Sequence, residues 1–170
     1  MISVAQGTEY RKGNIIFFTG TEEIPCPICG GKLGVHGTCM RTLQRKDKTE
    51  KYRLRVMECK KCGKTHRELP ERIVPYKRMD AEVLGTIAAE TGIGDVEAPD
   101  VSTWARIRGW VMWFLSYGQH ILEGMRVSMG DTLTTIPLGA SLSRQLVCYV
   151  RLVANSGNWI QHRSVMHRGP

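Results

Sequence analysis

The 170-residue sequence is most informative at first through what it lacks. It has no run of 18 apolar residues, the least a spanning helix needs, so no membrane-crossing helix is expected. Met1 to Gln6 lack the long apolar run of a secretory signal, which makes a reducing cytoplasm the expected setting. Neither a Gly-x-x-x-x-Gly-Lys-Ser/Thr loop nor a His-Glu-x-x-His pair is present, which argues against a P-loop nucleotide site and a zincin-type protease. Acids are scarce after Arg78: a cluster between 79 and 100, then only Glu123 and Asp131. A two-metal phosphoryl-transfer core needs carboxylates converging from a sheet, and these fall in helical or loop context. Ser, His and Cys are scattered at spacings that signal no nucleophile, so the chain reads as non-catalytic. It has no internal repeat and no low-complexity segment.

What is present is organised by two knuckles, Cys26-Pro27-Ile28-Cys29-Gly30 and Cys59-Lys60-Lys61-Cys62-Gly63. Each sets two thiols one tight turn apart, and the following Gly lets backbone amides approach sulfur. A structural zinc wants four soft ligands in a tetrahedron, which Cys26, Cys29, Cys59 and Cys62 supply. The intervening residues, 30 to 58, are enough for a hairpin that returns the second knuckle to the first. Two disulfides, or a redox Cys-x-x-Cys, are the competing readings. Disulfide frameworks belong with secreted chains, and a redox motif opens a helix in a βαβ unit, whereas Pro27 and the basic strand before Cys59 point to hairpin turns. His66 is read as a strand residue beside the knuckle rather than a ligand, and Cys39 and Cys148 as small buried residues.

Charge is distributed unevenly. Lys32 to Arg78 carries 15 Lys and Arg against 5 Asp and Glu, whereas Met79 to Asp100 has six acids and no base. A positive field confined to the cysteine-bearing segment suggests a polyanionic partner, with a merely solvated face as the alternative. Along 51–57, Lys51, Arg53 and Arg55 alternate with Tyr52, Leu54 and Val56. One strand face then carries cations at about 6.6–6.8 Å spacing, able to follow a phosphate backbone. Lys60, Lys61, Lys64 and Arg67 extend the patch.

The expected fold is α+β: a β zinc ribbon with an N-terminal strand over 1–78, then an all-α region over 79–170. Asn14 to Gly20 reads as a strand, Lys32 to Leu43 as the outgoing hairpin strand with Leu33, Val35, Gly37, Cys39 and Leu43 on one face, and 45–50 as the tip. Pro70 and Pro75 close the ribbon. Asp80 is placed to cap a helix ending at Gly92, and a second helix starts at Asp100 to Thr103. Its stripe is Trp104, Ile107, Val111, Phe114, Leu115 and Gly118. Residues 80–117 are a candidate helix-turn-helix, in which Arg106 and Arg108 would approach bases, although the eight-residue connection leaves a plain helical bundle equally open. A short helix over 119–129 and a last helix over 141–155, capped by Ser141, complete the reading. Asn158 to Pro170, with His162, Arg163, His167 and Arg168, is either a basic tail or a docked end.

The run Pro25-Cys26-Pro27-Ile28-Cys29-Gly30, then Cys59 to Pro70, then Val74-Pro75-Tyr76-Lys77-Arg78, resembles a bacterial family labelled a domain of unknown function with an N-terminal zinc ribbon. Ser102-Thr103 with Trp110 and Trp113-Phe114, and Asn155-Ser156-Gly157, resemble it too. Members look like the ribbon-plus-helix-turn-helix front ends of insertion-sequence transposases. The resemblance implies binding of duplex DNA and a mobile-element setting, with a transposase or other mobile-element protein as a partner. The alternative is a zinc-ribbon module that docks proteins or binds RNA.

Overall fold

The computed structural model describes residues 1–45, 48–89, 100–129, 136 and 139–159. These build a curled six-stranded sheet followed by three helices, an α+β arrangement. The strands are β1 (Ile2–Val4), β2 (Gly7–Lys12), β3 (Ile15–Gly20), β4 (Leu33–Gln44), β5 (Thr49–Cys59) and β6 (Thr65–Pro70). The helices are α1 (Ala81–Ala89), α2 (Val101–Met129) and α3 (Leu142–Asn155).

The β4–β5 hairpin is the spine, and the alternation of β5 buries one face along its first half. Tyr52 and Leu54 are fully buried, while Lys51 and Arg53 point outward. On its other edge β5 pairs in parallel with β3 through Lys51 to Arg53 and antiparallel with β6 through Val56 to Glu58. β2 closes antiparallel on β3, turning at Gly13 with φ +60°, and β1 pairs in parallel with β6. Beneath the sheet lie Val4, Ile16, Phe18, Leu43, Tyr52, Leu54, Leu69 and Ile73.

The outgoing strand departs from strict alternation. A bulge between Val35 and Gly37 inserts one extra residue, and a one-residue slip exchanges the two faces. Cys39 and Leu43 therefore turn toward the core as expected, but Val35 is thrown outward to 60 % exposure. The strand β5 also begins earlier than its charge pattern suggests, at Thr49. Glu50, assigned from sequence to the hairpin tip, is instead buried in β5 under Arg11, Arg45 and Lys48 and accepts from the Tyr52 hydroxyl at 2.9 Å. Lys46 and Asp47 of that tip lie outside the described residues.

Helix capping follows the sequence closely. The Val83 N–H donates to Asp80 Oδ1 at 2.9 Å, the Thr103 N–H to Asp100 Oδ1 at 2.7 Å, and the Arg144 N–H to Ser141 Oγ at 3.3 Å. α3 ends at Ser156 and Gly157, where φ is +81°. The division of 101–129 into two helices is corrected: α2 runs unbroken for 29 residues. Gly118 does not end it. A Cβ there would meet the Tyr149 ring at 2.5 Å, so the glycine serves the close approach of α3. Val111, Phe114, Leu115 and Leu122 of α2 pack with Leu84 and Ala88 of α1 and with Leu146, Tyr149, Val150 and Val153 of α3. The proposed end of α1 at Gly92, its following loop and the tail beyond Trp159 fall outside the described residues. No helix among the described residues is long and apolar enough to cross a membrane.

Candidate metal centre

Each knuckle folds into the same hydrogen-bonded turn. In the first, the Gly30 N–H donates to Cys26 O and the Cys26 N–H to Gly31 O, both at 2.8 Å. In the second, the Gly63 N–H donates to Cys59 O and the Cys59 N–H to Lys64 O, both at 2.9 Å. Gly30 and Gly63 adopt φ of +70° and +66°, the left-handed region that side chains disfavour, which explains a Gly after each Cys-x-x-Cys. The hairpin register places Leu33 opposite Cys59 and so brings the second turn back beside the first.

The ligand atoms of Cys26, Cys29, Cys59 and Cys62 lie within 4.8 Å of one another. Cys26 Sγ is 3.8 Å from Cys62 Sγ, and Cys29 Sγ is 3.5 Å from Cys59 Sγ. A tetrahedron with metal–sulfur bonds of about 2.3 Å has edges of roughly 3.8 Å, so these separations suit a metal far better than a disulfide of about 2.05 Å. All six cysteines are free thiols. The electrostatics point the same way. At Cys59, burial raises the pKa, but the Cys62 and Lys61 N–H groups and the neighbouring thiols outweigh it and hold the value at about 6. At Cys29 the Gly31 N–H favours the thiolate, yet burial and the other three thiols push the pKa up to about 12. The first thiolate to form thus suppresses the next, and a divalent cation among them removes that repulsion. The cluster can hold a metal ion and is consistent with zinc.

Two residues support the four ligands, His66 as the strand residue expected beside the knuckle and Gly31 as one that ligand spacing does not reveal. Gly31 has no room for a side chain: a Cβ would sit 2.7 Å from Lys61 Cβ and 2.8 Å from Cys59 Sγ. The doubled Gly30-Gly31 after the first knuckle was its signal. His66 is buried, with Nε2 3.3 Å from Cys26 Sγ, so it contacts a ligand from outside the set of four. Such contacts orient ligands and restrain their charge. Burial, with the Met1 amino group nearby, lowers its pKa and favours the neutral ring.

The basic residues assigned from sequence to nucleic acid do not form one surface. Lys51 and Arg53 are exposed on the outer face of β5. Arg55, next along that face, is 23 % exposed and engaged with Glu68 at 2.6 Å and with Gly20 O at 2.8 Å. Arg67 is the register partner of Val56 and therefore sits on the opposite face from Arg53. Lys60, Lys61 and Lys64 are exposed around the second knuckle. Arg106 is exposed on α2, while Arg108 lies half-buried with its guanidinium carbon 5.5 Å from the Trp104 ring centre.

No curated protein and no solved structure matches the chain. A family model described as a domain of unknown function, DUF6431, matches residues 26–107, just under half of the sequence. The match begins at the first ligand and takes in both knuckles, the β4–β5 hairpin, β6, α1 and the first residues of α2.

Proposed function

We propose that the chain is a non-catalytic DNA-binding protein whose β4–β5 hairpin is fixed by a structural zinc in a ribbon-like unit. The site chemistry supports zinc: four thiolates at tetrahedral spacing leave no coordination position for substrate water, the mark of a structural rather than a catalytic centre. The observation that carries the DNA reading is the exposed pair Lys51 and Arg53. Neither has a carboxylate partner among the described residues, although most nearby arginines do. Lys60, Lys61 and Lys64 add charge at the knuckle end of the same strand. Phosphate contacts of this kind position a nucleic acid without reading its sequence.

The contribution of α2 is structural in this reading. Its 29-residue length and its buried stripe favour the helical-bundle alternative over a helix-turn-helix. An accessory or regulatory role beside a transposase or other mobile-element protein rests on the resemblance alone, in a cytoplasmic setting. The test is Lys51→Ala/Arg53→Ala, with metal content verified, titrated on duplex DNA at two salt concentrations. Each lost contact should lower the slope of log affinity against log salt by about 0.9. An unchanged affinity and slope would remove the hairpin from the interface and favour a protein-docking module.

A further inference from the structure

The pairing registers align one row of outward side chains across four strands: Tyr10 on β2, Phe17 on β3, Arg53 on β5 and Met40 on β4. The Tyr10 and Phe17 rings stack with centroids 4.7 Å apart and planes 9° from parallel. The Arg53 guanidinium carbon lies 5.8 Å from the Phe17 centroid on the next strand. The result is a pile of flat groups standing on the sheet rather than lying in its core. Tyr10 is 57 % exposed and Met40 49 % exposed, so the pile is open to solvent at both ends. Tyr10 ends it at β2, the last strand on its side of the sheet, with one ring face taken by Phe17 and the other directed beyond the edge.

Burial of apolar area does not account for this arrangement, because the sheet's own core occupies the opposite face. The adjoining row holds Lys12 and Lys51, and neither row contains an acid. Cations separated by a two-residue step of about 6.6–6.8 Å therefore flank an exposed aromatic face. That combination suits a polyanion with detachable flat groups, since every base has a π-face and stacking is tolerant of sequence. A duplex hides its base faces and could meet only the cations.

We propose that the Tyr10–Phe17–Arg53 row is a stacking platform for the unpaired bases of single-stranded DNA, with Lys12, Lys51 and Arg53 on its phosphates. This rests on the DNA-binding reading and sharpens it from phosphate contact to recognition of unpaired strands. The platform lies mostly on β2 and β3, outside the region matched by the family model.

The test uses the full metal-loaded chain and a fluorescently labelled thymidine homopolymer of about 20 nucleotides, longer than the usual ~4–16 nucleotide site. The parent should bind it more tightly than a duplex of equal length. Tyr10→Ala should weaken single-strand binding about 5- to 150-fold, the range for loss of one base–aromatic stack, and leave duplex binding unchanged. Tyr10→Phe should retain single-strand affinity, whereas Tyr10→Leu, apolar but not aromatic, should behave like the alanine variant. Equal single-strand affinity for parent and Tyr10→Ala would overturn the platform while leaving the phosphate reading intact if duplex binding still depends on Lys51 and Arg53. Absence of binding to either form would overturn both. Tighter binding of a uridine homopolymer of the same length would overturn the assignment to DNA.

Discussion

Replacing Gly31 with alanine should weaken metal binding more than any other single-methyl change in the hairpin. The added Cβ would lie 2.7 Å from Lys61 Cβ, 2.8 Å from Cys59 Sγ and 3.4 Å from Cys29 Sγ. The first of these is the root of a side chain and the others are ligand atoms, so none can swing aside as a flexible tip would. The clash exists only while the two knuckles are closed on each other, and its cost therefore falls on the metal-bound geometry. Overpacking by one methylene-sized group costs about 1–3 kcal/mol, which converts to roughly 5- to 150-fold in metal affinity. Gly37→Ala, six residues on in β4, is the control: the same substitution with nothing within 4 Å of the new Cβ. Zinc competition against a chromophoric chelator at fixed pH measures both. A Gly31→Ala protein with the parent's affinity would show that the knuckles do not close as described, and the ligand geometry would have to be redrawn.

Cys59→Ser should lose the metal and unfold the hairpin, read by elemental analysis and circular dichroism, whereas Cys39→Ala and Cys148→Ala should keep one zinc per chain and cost about 1–2 kcal/mol each. Arg55→Ala should act on stability rather than on DNA: it strands the buried Glu68 carboxylate, a loss of about 3–5 kcal/mol for a fully buried pair and somewhat less at 23 % exposure, visible as a lower denaturation midpoint in urea. Glu50 gives a pH signature. Burial raises its pKa, but Lys48 and the Tyr52 hydroxyl, with Arg45, hold it below the ordinary 4.5. Its folded pKa is depressed, so its stabilisation is complete above about pH 4.5 and is lost as pH falls through the lower folded value. The stability gap between the parent and Glu50→Gln should therefore be widest above that pH and narrow below it, and a gap independent of pH would refute the assignment.

The parts of this fold that were legible in the sequence are those where one residue type has one local job. Two Cys-x-x-Cys-Gly runs specify two turns, and Asp80, Asp100 and Ser141 specify three helix starts, because each satisfies backbone groups within three residues of itself. The less legible parts depend on distant neighbours. β2 is exposed at every position and so carries no alternation to read. β6 buries His66 and Glu68, polar residues whose burial makes sense only beside Cys26 and Arg55. The bulge at His36 left no sequence mark and reversed the placement of Val35. Gly118 was set on the packing stripe of its helix, but the Tyr149 ring that requires a glycine there comes from another helix and left no mark in the sequence. The cation row was read correctly as a strand face, but its division at Arg55 was hidden, since Glu68 lies 13 residues away.

The supports of the metal centre extend well beyond its four ligands. On one side, His66 reaches Cys26 from β6, and β6 is held by β1 through Ile2 to Val4. β1 in turn is bound to α3, where the Ser3 N–H donates to Asn155 Oδ1 at 2.8 Å and the Asn155 amide donates to Ser3 O at 2.9 Å. On the other side, Gly157 backs against the first knuckle so closely that a Cβ would meet Pro27 O. Arg151 on α3 also pairs at 3.0 Å with Glu22, in the segment leading to that knuckle. The end of α3 therefore braces the loop that carries Cys26 and Cys29. An isolated ribbon of two knuckles and a hairpin would lack both braces, and small metal sites without a core of their own depend on the ion for folding. Here the helical layer shares that task, so metal removal should loosen the knuckles and hairpin first while the α1–α2–α3 core, built on Val111, Phe114, Leu146 and Val150, keeps its own packing. Amide hydrogen exchange with and without chelator measures this order. Early protection loss in α2 on chelation would instead make the metal the keystone of the whole chain.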